Sequence, residues 1–249
     1  MVRRSRYEGT RMFNLVTRTW NPITGCRHEC IYCWSRRMVE RFLKRTKKYR
    51  DVGFEPAFHE CELSVRFRPG ELVFVSDMGD MFGEWVPREW ILRVLEHISK
   101  FPKTRFLLLT KNPKRFLEFI DAIPGNCILG ATIETNLDDV YKAYRISKAP
   151  PPSERIKAMR RVRGVWKGEI WISIEPILLF DEGLYYAMIE ISPDVIYVGW
   201  DNYAWREGIE LPEPRVEHAL KLVELLRESG FKVICKPTNR SKIREKWRC

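Results

Sequence analysis

The chain has 249 residues, 45% of them apolar, and a formal net charge of +11 at pH 7. That length holds one large core or two small ones, and no apolar run approaches the about 20 residues needed to cross a bilayer. The start, Met1-Val2-Arg3-Arg4, has no apolar stretch behind it, so a secretory leader is not expected. Seven cysteines then fit a reducing compartment. A cytoplasmic protein without a membrane partner is the expectation.

Glutamine is absent while Lys, Arg and Glu are abundant, a thermophile-like composition. The charge is uneven. Residues 1–50 hold fourteen Lys/Arg against three acids, and the rest of the chain balances. Further basic stretches run from Lys142 to Lys167 and along the tail from Lys232 to Arg248. Such clusters neutralise phosphates, so nucleic acid or another anionic substrate is a candidate partner. A charged, solvated surface is the alternative.

In chain order, Phe13 to Trp20 reads as a first strand. It leads into Gly25-Cys26-Arg27-His28-Glu29-Cys30-Ile31-Tyr32-Cys33-Trp34, where three thiols fall within eight residues. A loop of this kind wraps three corners of an iron–sulfur cube and leaves the fourth iron without a protein ligand. A disulfide would leave one of the three thiols unpaired. Zinc is the rival: it wants four ligands, and His28, His59 or Cys61 would have to supply the fourth.

From Trp34 to Tyr49, Trp34, Met38 and Phe42 recur at helical spacing, with Arg and Lys on the opposite face. Residues 50–70 are irregular, broken by Gly53, Pro56, Pro69 and Gly70. Leu72 to Val75 is a buried strand. Pro87 opens a helix whose apolar face is Trp90, Ile91, Val94, Leu95 and Ile98. A third strand spans Arg105 to Leu109, a helix Pro113 to Ile120, and a fourth strand Cys127 to Ile133. Asn136 or Asp138 caps a helix to about Ile146. Pro150-Pro151-Pro152 interrupts it, and Ser153 restarts a helix to about Val162. Strands follow at Glu169 to Ile174 and Asp194 to Val198. A helix from Pro214 to Glu228, ended by Gly230, precedes a last strand at Phe231 to Cys235.

This alternation means a parallel α/β sheet in one domain over residues 1–249, with a basic N-terminal segment and a short basic C-terminal tail. Periodicity does not separate a barrel from a flat sheet. In either, sites gather at the carboxyl ends of the strands. Polar residues collect there: Ser76 and Asp77, Thr110 and Lys111, Glu134 and Thr135, Glu175, then Trp200-Asp201-Asn202 and Lys236. Each is a candidate ligand, or a cap for the next helix or loop.

The Cys-x3-Cys-x2-Cys loop with an aromatic before its third cysteine resembles the radical S-adenosylmethionine (SAM) superfamily. Thr19-Trp20-Asn21-Pro22-Ile23-Thr24-Gly25-Cys26 is similar to a phage-protein-like "three-cysteine" family within it. So are Phe74-Val75-Ser76-Asp77-Met78, Leu109-Thr110-Lys111-Asn112-Pro113 and Ile172-Ser173-Ile174-Glu175-Pro176. The Gly-Cys-x-His-x-Cys-x-Tyr-Cys pattern is also similar to the spore photoproduct lyase branch. The resemblance implies a partial (β/α) barrel of about six or seven strands and a [4Fe-4S] cluster on Cys26, Cys30 and Cys33. It implies SAM on the open iron, an electron donor as partner, and reductive cleavage to a 5′-deoxyadenosyl radical.

SAM contacts would fall to Ser76 and Asp77 for the amino group, Glu134 for the ribose, Tyr32 beside the adenine, and Thr110 and Lys111 nearby. Glu175 suits SAM or substrate. Among Cys61, Cys127, Cys235 and Cys249, Cys235 is the best placed hydrogen-atom donor, with a buried strand cysteine as the alternative. The other function class is a non-catalytic zinc-bearing nucleic-acid-binding protein.

Overall fold

The computed structural model describes residues 13–247. The basic residues before Phe13, Arg248 at the end of the tail, and Cys249 lie outside the described residues. Nine strands are described: β1 Arg18–Trp20, β2 Ile23–Thr24, β3 Ala57–Phe58, β4 Leu72–Val75, β5 Arg105–Thr110, β6 Cys127–Thr132, β7 Ile170–Ile174, β8 Val195–Val198 and β9 Val233–Cys235. The helices are α1 Trp34–Met38, α2 Arg88–Ser99, α3 Asp138–Ala143, α4 Pro152–Val165, α5 Gly183–Ile191, α6 Val216–Glu228 and α7 Ser241–Arg244.

Seven strands form one parallel sheet in the order β1-β4-β5-β6-β7-β8-β9, curled into a half-barrel. Each strand step passes through a crossover, which parallel pairing requires. The strands are buried on both faces, so their sequences are nearly continuous apolar runs. Alternation still sorts them. Leu72, Phe74, Leu107, Ile128, Trp171, Val195 and Tyr197 pack inside the half-barrel. Their neighbours Val73, Val75, Phe106, Leu108, Leu129, Ile172 and Ile196 face the helix layer, where Ile91, Val94, Met159, Leu184 and Leu222 meet them.

Several expected elements come out differently. The first strand is only Arg18–Trp20. Phe13 to Val16 is a turn, with the Val16 amide donating to the Phe13 carbonyl. The Phe13 ring plugs the floor of the half-barrel, 4.5 Å from Tyr197 and 5.6 Å from Phe74. The helix expected from Trp34 to Tyr49 is α-helical only to Met38, and a π-helical segment follows over Val39–Leu43. The wider turn shifts which face is buried. Val39 packs with Tyr49, Phe54 and Met78, while Phe42 is 71% exposed.

Between β5 and β6 the chain makes a short 3-10 helix, Pro113–Glu118. Neither Asn136 nor Asp138 is the residue before α3. That is Leu137, whose amide donates to Thr135 Oγ1 at 2.9 Å. The helix after the triple proline starts at Pro152 itself, a first-turn position proline favours. Helix α5 has no counterpart in the sequence reading. A small antiparallel pair, β2 with β3, clamps the chain just before the cysteine loop.

Candidate functional site

The cysteine loop leaves the end of β1 through Gly25. This residue has φ of +81°, and a Cβ there would lie 2.1 Å from the Glu55 carbonyl oxygen, so only glycine fits. The Gly25 amide donates to the Met78 carbonyl at 2.9 Å and the Cys26 amide to the Phe54 carbonyl at 3.2 Å. Further along, Ile31 N–H meets the Ile146 carbonyl at 3.0 Å. The helix after the loop ties it back: Arg36 donates to the Cys26 carbonyl and Arg37 to the Ile31 carbonyl, at 3.0 and 2.6 Å.

Cys26, Cys30 and Cys33 line one cavity of about 1350 Å³ at the carboxyl ends of the strands. Burial pushes all three thiols up, Cys33 to about 11. After burial, Asp80 and then Cys30 push Cys26 up, and Cys30 does the same to Cys33. The three sulfurs therefore share one electrostatic environment, and thiolates there call for a cationic group. Among the described residues, no three His, Cys, Asp or Glu converge on a point that would hold a single metal ion.

The ligands nominated to complete a zinc site are engaged elsewhere or stand apart. His28 Nε2 is 3.0 Å from Asp80 Oδ2, with both residues buried. Its ring also packs edge-on to Trp85 at 4.7 Å. His59 Nε2 is 2.7 Å from Thr24 Oγ1, and Cys61 is exposed.

Asp80 was not foreseen from the sequence, and it organises this end of the barrel. Besides His28 it accepts from Thr110 Oγ1 at 2.7 Å, the Lys111 amide at 2.9 Å and the Phe82 amide at 3.0 Å. Burial acts to raise its pKa, but the hydrogen bonds led by His28 outweigh that and hold it below the usual carboxylate range. One carboxylate thus joins the cysteine loop to the ends of β4 and β5. Thr110, expected at the cofactor, gives its hydroxyl proton to this knot.

A second buried network lies behind Tyr32. Glu134 is fully buried, and its Oε1 accepts from the Tyr32 hydroxyl and from Lys111 Nζ. Its Oε2 accepts from Arg155 at 2.6 Å, and Arg155 also donates to the Thr132 carbonyl at 2.7 Å. Burial opposes the charge on Glu134, but Arg155 and then Lys111 overcome it and hold the carboxyl at about 2. Glu134 lies outside the cavity wall, so the structure brings it to Tyr32 and Lys111 rather than to open space. Arg155 gave no sequence signal, since it sits in the charged run Ser153-Glu154-Arg155-Ile156-Lys157 that reads as a solvent face.

Of the remaining expected residues, Asp77 borders the cavity, and burial raises its pKa. Asn21 donates to it at 2.6 Å. Ser76 is buried outside the cavity wall at φ +57°, with its hydroxyl lacking a hydrogen-bond partner. Glu175 reaches the cavity by strand alternation above Ser173 and Trp171. Its Oε1 is 2.7 Å from Lys236 Nζ and its Oε2 accepts from Ser173 Oγ at 3.0 Å. Asp201 caps the next turn, taking the amides of Tyr203, Ala204 and Trp205. Asn202 staples that loop to Thr238 and Asn239. Cys235 borders the cavity and packs against the outer core.

Solved structures share this arrangement of parallel strands curled into a half-barrel. Spore photoproduct lyase complexed with dinucleoside spore photoproduct superposes with a TM-score of 0.55 at 14% identity, covering 86% of this chain and 75% of that one. SuiB of Streptococcus suis bound to S-adenosylmethionine gives 0.56 at 12% identity, over 90% of this chain and 51% of SuiB. SuiB bound to precursor peptide SuiA gives 0.55 at 12%, over 90% and 49%. This chain thus spans about half the length of SuiB. At these identities the likeness is one of fold. No curated protein matches the sequence. A family model described as a protein of unknown function, DUF5131, matches residues 12–184, and the chain belongs to that family. No helix among the described residues is long and apolar enough to cross a membrane.

Proposed function

We propose that this protein is a radical SAM enzyme of the cytoplasm, built as one domain, with Cys26, Cys30 and Cys33 holding three irons of a [4Fe-4S] cluster. The observation that carries the reading is the shared cavity of the three thiols, where the loop's only histidine already spends its Nε2 on Asp80. The sequence segments similar to the "three-cysteine" family support the same reading. A [4Fe-4S] cluster held by Cys26, Cys30 and Cys33, with SAM bound and an electron-donating partner, would supply one-electron cleavage of SAM and hydrogen-atom abstraction from substrate.

In this reading the chain's own residues bind and orient. Asp77 faces the SAM amino group. Lys111, which also donates to Glu134 and to the Tyr32 hydroxyl, presents its remaining proton to the SAM carboxylate. Tyr32 is held beside the adenine by Glu134 and Lys111 rather than acting on its own. Glu175 and Lys236, at the far strand ends, meet the substrate, which the basic flank of the cysteine loop marks as anionic. The half-barrel floor, plugged by Phe13, closes the cavity to water from below.

The test is direct. Anaerobically purified protein is expected to be brown, with iron and sulfide near four each per chain, as a [4Fe-4S] cluster of about four irons demands. With SAM and dithionite it should release 5′-deoxyadenosine. Colourless protein carrying one zinc, or reconstituted protein that releases none of that product, overturns the reading.

A further inference from the structure

The cavity exceeds the range of about 300–1,000 Å³ usual for small-molecule sites, so SAM would occupy only part of its 1350 Å³. The side remote from the cysteine loop is built for a second occupant. Glu175 and Lys236 set an acceptor and a donor side by side, 2.7 Å apart. The Glu175 carboxylate lies close over Gly199, where a Cβ would come within 2.6 Å of Oε1, and Ser173 Oγ donates to its Oε2 at 3.0 Å. Neighbouring donor and acceptor positions are what the edge of a nucleobase requires. Tyr203 borders the same space and is 50% exposed.

Outside the cavity the surface continues in the same chemistry. Arg37 and Arg41 both pair with Glu207 at 2.8 Å. That ties the segment after the cysteine loop to the turn carrying Tyr203 and Trp205. Trp205 is 42% exposed, with the Arg206 guanidinium 5.6 Å from its ring centre. Residues 34–50 hold eight Lys/Arg and a single acid, Glu40. Lys44, Arg45 and Lys47 are exposed and have no carboxylate partner among the described residues. Half-exposed aromatic rings interleaved with unpaired cations bind strands whose bases are free to stack. A polyanion without bases would use the cations and leave the rings idle.

We infer that the substrate is a nucleotide within a nucleic-acid strand, with its base unpaired and inserted between Tyr203 and the Glu175–Lys236 pair while its flanking phosphates lie on Lys44, Arg45 and Lys47. The inference rests on the proposed radical SAM site, but its binding step does not need SAM.

The test measures binding of the cluster-loaded full chain, without SAM, to a labelled single-stranded oligonucleotide, its duplex, heparin and poly-glutamate over a range of salt. The single strand is expected to bind most tightly. Replacing Lys44→Glu, Arg45→Glu and Lys47→Glu together should flatten the slope of log affinity against log salt by about 2, at about 0.7 per phosphate contact. Tyr203→Ala and Trp205→Ala should each weaken the single strand about five- to a hundredfold and leave heparin unchanged. Heparin or poly-glutamate binding as tightly as the oligonucleotide overturns the inference. So does indifference of the single strand to both aromatic substitutions, or tighter binding of the duplex. Release of 5′-deoxyadenosine, read separately without nucleic acid, shows whether the radical SAM reading fails independently.

Discussion

The two sides of the cavity are built on the same strand-end positions and use them differently. On the cysteine side, Asp80, Thr110, Glu134 and Arg155 spend their hydrogen-bonding capacity on one another and are buried. On the β7–β9 side, Glu175 and Lys236 hold each other but keep partial exposure, 14% and 19% of their side chains. Buried networks of the first kind specify geometry, and their worth depends on every member being satisfied. Pairs of the second kind remain available to a ligand. Substitutions on the first side should therefore damage cluster and fold together, whereas those on the second should touch only substrate.

The largest effect is expected from Cys26→Ala, Cys30→Ala or Cys33→Ala, each of which should abolish 5′-deoxyadenosine release and reduce iron per chain, read by product assay and iron analysis. Next comes the Arg155–Glu134 pair. Arg155→Met leaves the buried Glu134 with Lys111 as its remaining cationic partner, a loss of up to about 3–5 kcal/mol, which lowers the melting temperature by up to about 10 °C in a chain of this size. Pairing it with Glu134→Gln should recover much of that loss. An Arg155→Met variant that melts with the parent would break the contrast between the two sides.

Asp80→Asn and His28→Gln should cost about 10–100-fold in cluster retention or activity, the usual scale for groups that orient metal ligands. The pH dependence sharpens the same point. Glu134 is held at about 2 against an ordinary 4.5, so its ionised form stabilises the fold above pH 4.5. That contribution is lost as pH falls from there toward 2. The melting-temperature gap between the parent and Glu134→Gln should close over that window, and a gap constant with pH would contradict it. The smallest effect belongs to Glu175→Gln, expected to leave iron content, melting temperature and substrate-free SAM cleavage unchanged while raising the substrate KM.

Much of the fold was legible because parallel strands bury both faces and announce themselves as short apolar runs between helices. The cysteine spacing was legible because the loop is local. Other features depend on contacts remote in sequence. Helix α5 escaped because Gly183-Leu184-Tyr185-Tyr186-Ala187-Met188-Ile189 has no polar face to set a helical period. The Trp34–Phe42 stripe misled: Trp34 packs inward, whereas Met38 and Phe42 turn to solvent and the chain leaves α-helical geometry at Val39. Asp80 and Arg155 lie 52 and 21 residues from their partners His28 and Glu134, and nothing in a charged residue's own neighbourhood tells a buried knot from a solvated surface. Glu134 is instructive: its place after β6 was legible, but its partners Tyr32, Lys111 and Arg155 were not.

The most direct measurement is the electron paramagnetic resonance spectrum of the reduced cluster before and after SAM is added. With three cysteine ligands and one iron open to a small molecule, the signal should change on adding SAM and revert when SAM is removed. A fully loaded cluster whose spectrum ignores SAM would mean that a side chain of this polypeptide already holds the fourth iron.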